Sequence, residues 1–117
     1  MGTGSKKLEV WQAGKALAVD IHRITNILRD ISLRDQIRRS AVSIPSNIAE
    51  GDERDTDRDS VRFFFIAKGS LAELITQLEI ATEIGALPAT EIAPLTERAT
   101  ALGRQLGALI KSRSAHD

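Results

Sequence analysis

From Ser60 to Gly85, small or apolar residues recur at alternating spacings of four and three without a break: Ser60, Phe64, Ala67, Leu71, Leu74, Leu78, Ala81 and Gly85. Only an α-helix gathers residues at those spacings onto one side, because a strand would alternate them between two faces. The pattern predicts a helix over 57–84, roughly 42 Å long at 1.5 Å per residue. Almost opposite this seam lie Ile66, Gly69, Glu73, Ile80 and Ile84. A helix that is apolar on two sides is covered twice, once inside its own bundle and once against something else.

The rest of the chain carries three more stripes of the same kind. Val10, Gly14, Leu17, Ile21, Ile24 and Leu28 predict a first helix over about 6–28, and Leu33, Ile37, Ala41, Ile44 and Ile48 a second over about 33–51. Ile92, Leu95, Ala99, Leu102, Leu106 and Ile110 predict a fourth over about 90–111, with Pro88 or Thr90 at its start. Met1 to Ser5 and Ser112 to Asp117 are read as loose ends. The connections are short, so consecutive helices pack antiparallel. The expected fold is all-α, an up-down-up-down antiparallel left-handed four-helix bundle, with residues 1–117 as a single domain.

The second helix carries a further polar stripe, Gln36, Ser40, Ser43, Asn47 and Glu50, roughly 100° around from its apolar one. Short hydroxyls and amides replace the long charged side chains of a surface helix, so the stripe is read as partly buried and satisfied by a neighbouring helix. Asn47 is expected to bond to the third helix or the first, so that Asn47→Ala would cost about 1–3 kcal/mol. Pro45 removes one backbone bond inside this helix and is expected to bend it. Gly51 is read as its C-terminal cap.

Between the second and third helices, residues 51–60 carry five acids and two arginines. Asp55, Asp57 and Asp59 match three positions of a calcium loop, but Ser60 stands where that loop needs Gly and Ile66 where it needs Glu. An N-cap at Thr56 followed by acids in the first turn explains the same residues, since the helix dipole favours negative charge there. His22 faces away from the core and has no second ligand at metal spacing. Trp11 lies on the flank of the first helix, either as a lid on the core edge or as an anchor between subunits.

Composition narrows the function. Sixteen basic and sixteen acidic residues cancel, so no overall field draws the chain to nucleic acid or an anionic membrane. There is no cysteine, which excludes thiol catalysis. No apolar run reaches the roughly 18 residues of a membrane span, and the chain reads as soluble and cytoplasmic.

Three segments carry a family likeness: LEVWQAGKALA near the start, LRDQIRRSAVSIPSNIAEG, and FFFIAKGSLAELITQLEIATEIG. Over about Leu8 to Gly85 the chain resembles the small bacterial four-helix-bundle proteins encoded in intervening sequences of large-subunit ribosomal RNA genes. It is similar also to the accessory variability determinant of diversity-generating retroelements. The resemblance implies a closed homo-oligomeric ring of five and no enzymatic activity. The retroelement relatives are basic and bind nucleic acid and a reverse transcriptase; this chain departs from them in having no net charge.

The resulting expectation is a non-enzymatic, cofactor-free assembly or scaffold protein whose first partner is itself and whose second is RNA or a reverse transcriptase. Trp11, Ile66, Gly69, Ile80 and Ile84 are the candidate subunit contacts. Arg34, Arg38, Arg39, Arg54, Arg58 and Arg62 are candidate phosphate contacts, because arginine pairs bidentately with phosphate. As ordinary solvated charges, the same arginines would pair with Asp35, Glu53 and Asp57. The alternative is a carboxylate metalloenzyme or hydrolase using Glu50, Asp52, Glu73, Glu79 and Glu83. Dimetal bundles of that class need a Glu-x-x-His motif on two helices, and neither histidine is so placed.

Overall fold

The computed structural model describes the backbone of residues 2–114 and the side chains of residues 8–114. Met1 and residues 115–117, part of the ends read as loose, lie outside the described residues. Four helices form: α1 (Gly2–Ile24), α2 (Ile31–Asp52), α3 (Asp57–Glu83) and α4 (Ala89–Ser114), with a 3₁₀ turn at Thr25–Ile27. Each helix packs against two neighbours in the cyclic order α1, α2, α3, α4, and the α2–α3 seam is the most extensive. The bundle measures 46 × 23 × 18 Å. It is the all-α antiparallel four-helix bundle that the stripes predict.

Helix α1 begins at Gly2, earlier than its apolar stripe requires. Adding a residue to an existing helix fixes one residue for one bond, so helices run on past the stripe that nucleates them. At its other end the core position falls on Thr25 and not on Ile24: Thr25 is fully buried, while Ile24 is only partly so. The buried hydroxyl is satisfied, since Thr25 Oγ1 donates to the Ile21 carbonyl at 2.7 Å. The apolar methyl of threonine therefore fills a core layer without stranding its oxygen.

The caps set the other boundaries. Asp30 is the N-cap of α2, accepting from the Leu33 amide at 3.0 Å, so this helix starts two residues before the expected one. Thr56 caps α3 as its sequence position predicts, accepting from the Asp59 amide at 3.2 Å. Gly85, at φ +77°, ends α3 in the left-handed conformation that glycine adopts without steric cost. The Ala86 amide then reaches the Ala81 carbonyl at 2.8 Å and the Gly85 amide the Thr82 carbonyl at 3.1 Å, a Schellman closure. The Pro88 carbonyl accepts from Glu91 and Ile92 and opens α4.

Gly51 is not the cap that its position suggests. The helix continues through it to Asp52, and Glu53 closes it in right-handed conformation. Gly51 is buried because Phe64 of α3 lies on it. A Cβ added there would stand 2.6 and 2.9 Å from Phe64 ring carbons and 3.0 Å from the Ser60 carbonyl oxygen. Ser60 Oγ in turn donates to the Gly51 carbonyl at 2.6 Å. The glycine permits close approach of two helices, and a buried hydroxyl fastens them where they meet.

Arg113, in the last turn of α4, is 8% exposed. Its guanidinium lies 5.7 Å from the centre of the Phe64 ring and 3.6 Å from the Asp57 carboxylate, tying the last turn of α4 to the first turn of α3. Gly51→Ala will force the fully buried Phe64 to move and lower stability by about 1–3 kcal/mol, despite the better helix propensity of alanine. Urea melts check this; a variant as stable as the parent would show that the ring can yield.

Candidate functional site

The polar stripe of α2 faces α3, but its members differ in depth. Ser40 is buried and Ser43 and Asn47 are half-buried, whereas Gln36 and Glu50 are exposed. Ser43 Oγ and Ser70 Oγ of α3 share a hydrogen bond of 2.7 Å, a short link from this stripe to another helix. Asn47 does not reach α3 or α1. Its Nδ2 donates back one turn, to the Ser43 carbonyl at 2.8 Å and Ser43 Oγ at 3.0 Å. The expectation for Asn47 is corrected on that point: a four-residue step on one helix brings its short amide to Ser43 before any neighbouring helix is in reach. Glu50 pairs with Arg54 on its own side of the bundle.

Gln36, Arg39, Ser40, Ser43, Glu73 and Gln77 line an open polar groove between α2 and α3. The Ser40 hydroxyl points at Glu73 Oε1 from 3.5 Å, a long contact, and Gln77 Oε1 is buried without accepting a hydrogen bond from the protein. Beside this groove α3 exposes Ile66, Ile80 and Ile84, the last at 65%. Gly69 leaves a notch in the same face, since a Cβ there would meet nothing within 4 Å. Trp11 packs against the edge of the core and carries Lys15 Nζ 4.2 Å above its ring.

A second apolar surface lies on the adjoining face, and the stripes did not reveal it. Ala18 and Val19 of α1 and Val42 and Pro45 of α2 line a groove rimmed by Lys15, His22 and Arg23. Val19 and Val42 are 44% and 55% exposed. The signal was present in the pairing: two valines that fall off both core stripes, on helices that pack antiparallel, come to one groove.

The six candidate arginines do not form one patch. Arg38 is committed to the end of α1, donating from Nε to Thr25 Oγ1 at 2.9 Å and from Nη2 to the His22 carbonyl at 2.9 Å and Asn26 Oδ1 at 2.8 Å. Those bonds satisfy the end of α1 and occupy the fork that a phosphate would need. Arg34 is half-buried with Nε unpartnered, 3.9 Å from Asp35, and Arg39 is on the polar groove. At the other end of the bundle Arg54 and Arg62 approach the Phe63 ring at 4.4 and 5.2 Å. Arg58 and Arg62 with Phe65 line a shallow depression beside them. The carboxylates of the enzymatic alternative are dispersed: Glu50 and Asp52 at that end, Glu73 midway, Glu79 and Glu83 towards the opposite end. Among the described residues no group of three or more His, Cys, Asp or Glu is placed to hold a metal ion. No helix among them is long and apolar enough to cross a membrane.

Fold and surface together define a small antiparallel all-α bundle with two adjoining, partly apolar faces. Residues 6–108 match the model of the 23S rRNA-intervening sequence protein family, and the chain belongs to that family. Among solved structures it is similar to a protein of unknown function from the S23 ribosomal protein family of Bacteroides thetaiotaomicron. The TM-score is 0.84 at 23% identity, covering 91% of this chain and 98% of that one. At that identity the likeness speaks for the fold. No curated protein sequence matches.

The serine pair gives an ordering that stability measurements check. Ser43→Ala removes the partner of the buried Ser70 hydroxyl and is expected to cost about 1–3 kcal/mol. Asn47→Ala loses only bonds within its own helix and is expected to cost about 0.5–1 kcal/mol. Denaturant melts with the reverse order would contradict this reading of the stripe.

Proposed function

We propose that the protein is a non-catalytic assembly protein whose working form is a closed ring of identical subunits. The observation that carries this reading is that two different adjoining faces of one bundle expose large apolar side chains: Val19 and Val42 between α1 and α2, and Ile66, Ile80 and Ile84 on α3. One self-complementary patch would serve a two-fold dimer, whereas two unlike patches serve a head-to-tail contact, which closes into a ring when the rotation allows. The two faces lie on either side of α2, so a contact between them turns each subunit against the last, as ring closure requires. The resemblance to ring-forming bundle proteins supports five.

Ile80→Asp places a charge in the middle of the α3 face, which would desolvate on contact. Light scattering at micromolar concentration is expected to give a multiple of the chain mass for the parent and a single chain for the variant. Circular dichroism is expected to show unchanged helix content. A monomeric parent would end the assembly reading.

Nucleic acid is the second partner that the family likeness supports, and the corner formed by Arg54, Arg58 and Arg62 around Phe63 and the exposed Phe65 is where this chain offers for it both guanidinium groups and an aromatic face. Five acids between Asp52 and Asp59 oppose phosphate there, so a single corner binds weakly and repetition around a ring supplies the avidity. Structured RNA is therefore expected to bind the parent at low salt with a steep salt dependence and to bind monomeric Ile80→Asp at least about tenfold more weakly. A flat salt response, or equal binding by both, would remove RNA from the function.

A further inference from the structure

We propose that the polar groove between α2 and α3 is a receptor for a guanidinium group, and that in the assembled protein the group is Arg23 of the neighbouring copy. This rests on the ring reading above and names the polar contact at its interface. The groove is rich in acceptors where a donor must enter. Among the described residues, the Glu73 carboxylate is held only by a long contact from Ser40, and Gln77 Oε1 is buried with no donor. Gln36 and Ser43 add an exposed amide and a hydroxyl at the mouth; Arg39 of the same chain also lines the groove but, among the described residues, hydrogen-bonds to neither Glu73 nor Gln77. A planar cation with several N–H donors fits that set: two for the carboxylate, one for the amide oxygen.

The adjoining face of the same chain carries such a cation at the matching height. In a closed ring there is no net rise between neighbours, so the residues that meet lie at one level along the ring axis. Hydrogen bonds fix those levels within the subunit when the bundle stands along that axis. Arg38 bonds to the His22 carbonyl and to Thr25, which sets Arg23 beside Arg38. Ser40 lies opposite Glu73, two residues further along α2, a rise of about 3 Å. Arg23 on one face and Glu73 on the adjoining face are thus level within the reach of an arginine. The Arg23 side chain is 76% exposed. Its partner in the subunit, Asp20 at 3.6 Å, already accepts from Arg98 at 2.7 Å. Arg23 also rims the apolar groove of Val19 and Val42, and Glu73 lies between Ile66 and Ile80 on α3. Each charge therefore stands beside the apolar anchors of its own face, as a polar contact at the rim of a hydrophobic interface does.

A charge swap tests this. Light scattering across a concentration series is read for the parent, Arg23→Glu, Glu73→Arg and the double variant. Both positions are on the surface of the subunit, and circular dichroism checks that each variant folds. Each single reversal sets like charges against each other and is expected to raise the concentration for half-assembly at least about tenfold. The double variant restores opposite charges and is expected to regain most of the parent's assembly. Gln77→Leu, which keeps size and removes the acceptor, is expected to weaken assembly less than either reversal. If the parent assembles but the single reversals assemble equally well, or the double variant stays as dissociated as the singles, the Arg23–groove contact is overturned while the ring stands. A parent that is monomeric throughout overturns the ring beneath it as well.

Discussion

The packing of α2 on α3 is the contact on which the rest of the structure depends. It begins where the Phe64 ring lies on Gly51, a position that only a residue without a side chain can occupy at that distance. The close approach lets Ser60 Oγ reach the Gly51 carbonyl and sets the height of one helix against the other. Further along, the Ser43–Ser70 bond falls at the same register. Two short hydroxyl bonds along this seam restrict sliding, because a shift of one turn would leave buried hydroxyls without partners.

That seam positions the surfaces considered for function. Fixing α3 against α2 brings Glu73 and Gln77 beside Gln36, Ser40 and Ser43 and turns Ile66, Ile80 and Ile84 outward. Arg38 does the same on the other side of α2: by holding the end of α1 through three hydrogen bonds it sets the height of Val19 and Arg23 beside Val42. Helix α2 is thus the shared edge of two faces, and both inherit their register from it.

The bundle has two distinct uses for arginine. Arg38 and Arg113 are internal fastenings, each spending its donors or its ring contact on a helix end. Arg23, Arg58 and Arg62 stand on the surface. Residue type does not separate the two groups. The difference lies in whether the long side chain meets a carbonyl, a carboxylate or solvent once the helices are side by side.

Much of this could be read before any coordinates. The four stripes, the antiparallel order, the Thr56 cap and the core seam of α3 follow from periodicity and from capping, which are properties of a few consecutive residues and are expressed by any helix that carries them. The outward Ile66, Ile80 and Ile84 follow from the same arithmetic. Tertiary structure decided what depends on neighbours from elsewhere in the chain. Gly51 became a close-approach site because Phe64 arrives from α3, and Thr25 displaced Ile24 from the core because the last turn of α1 tightens and Arg38 meets its hydroxyl. Asn47 turned to its own helix because Ser43 was nearer than any partner across the seam. The apolar groove of Val19 and Val42 exists only because α1 and α2 bring together two residues that belong to no stripe. Helical periodicity is local, whereas the company a side chain keeps is settled by which helix stands opposite and at what height.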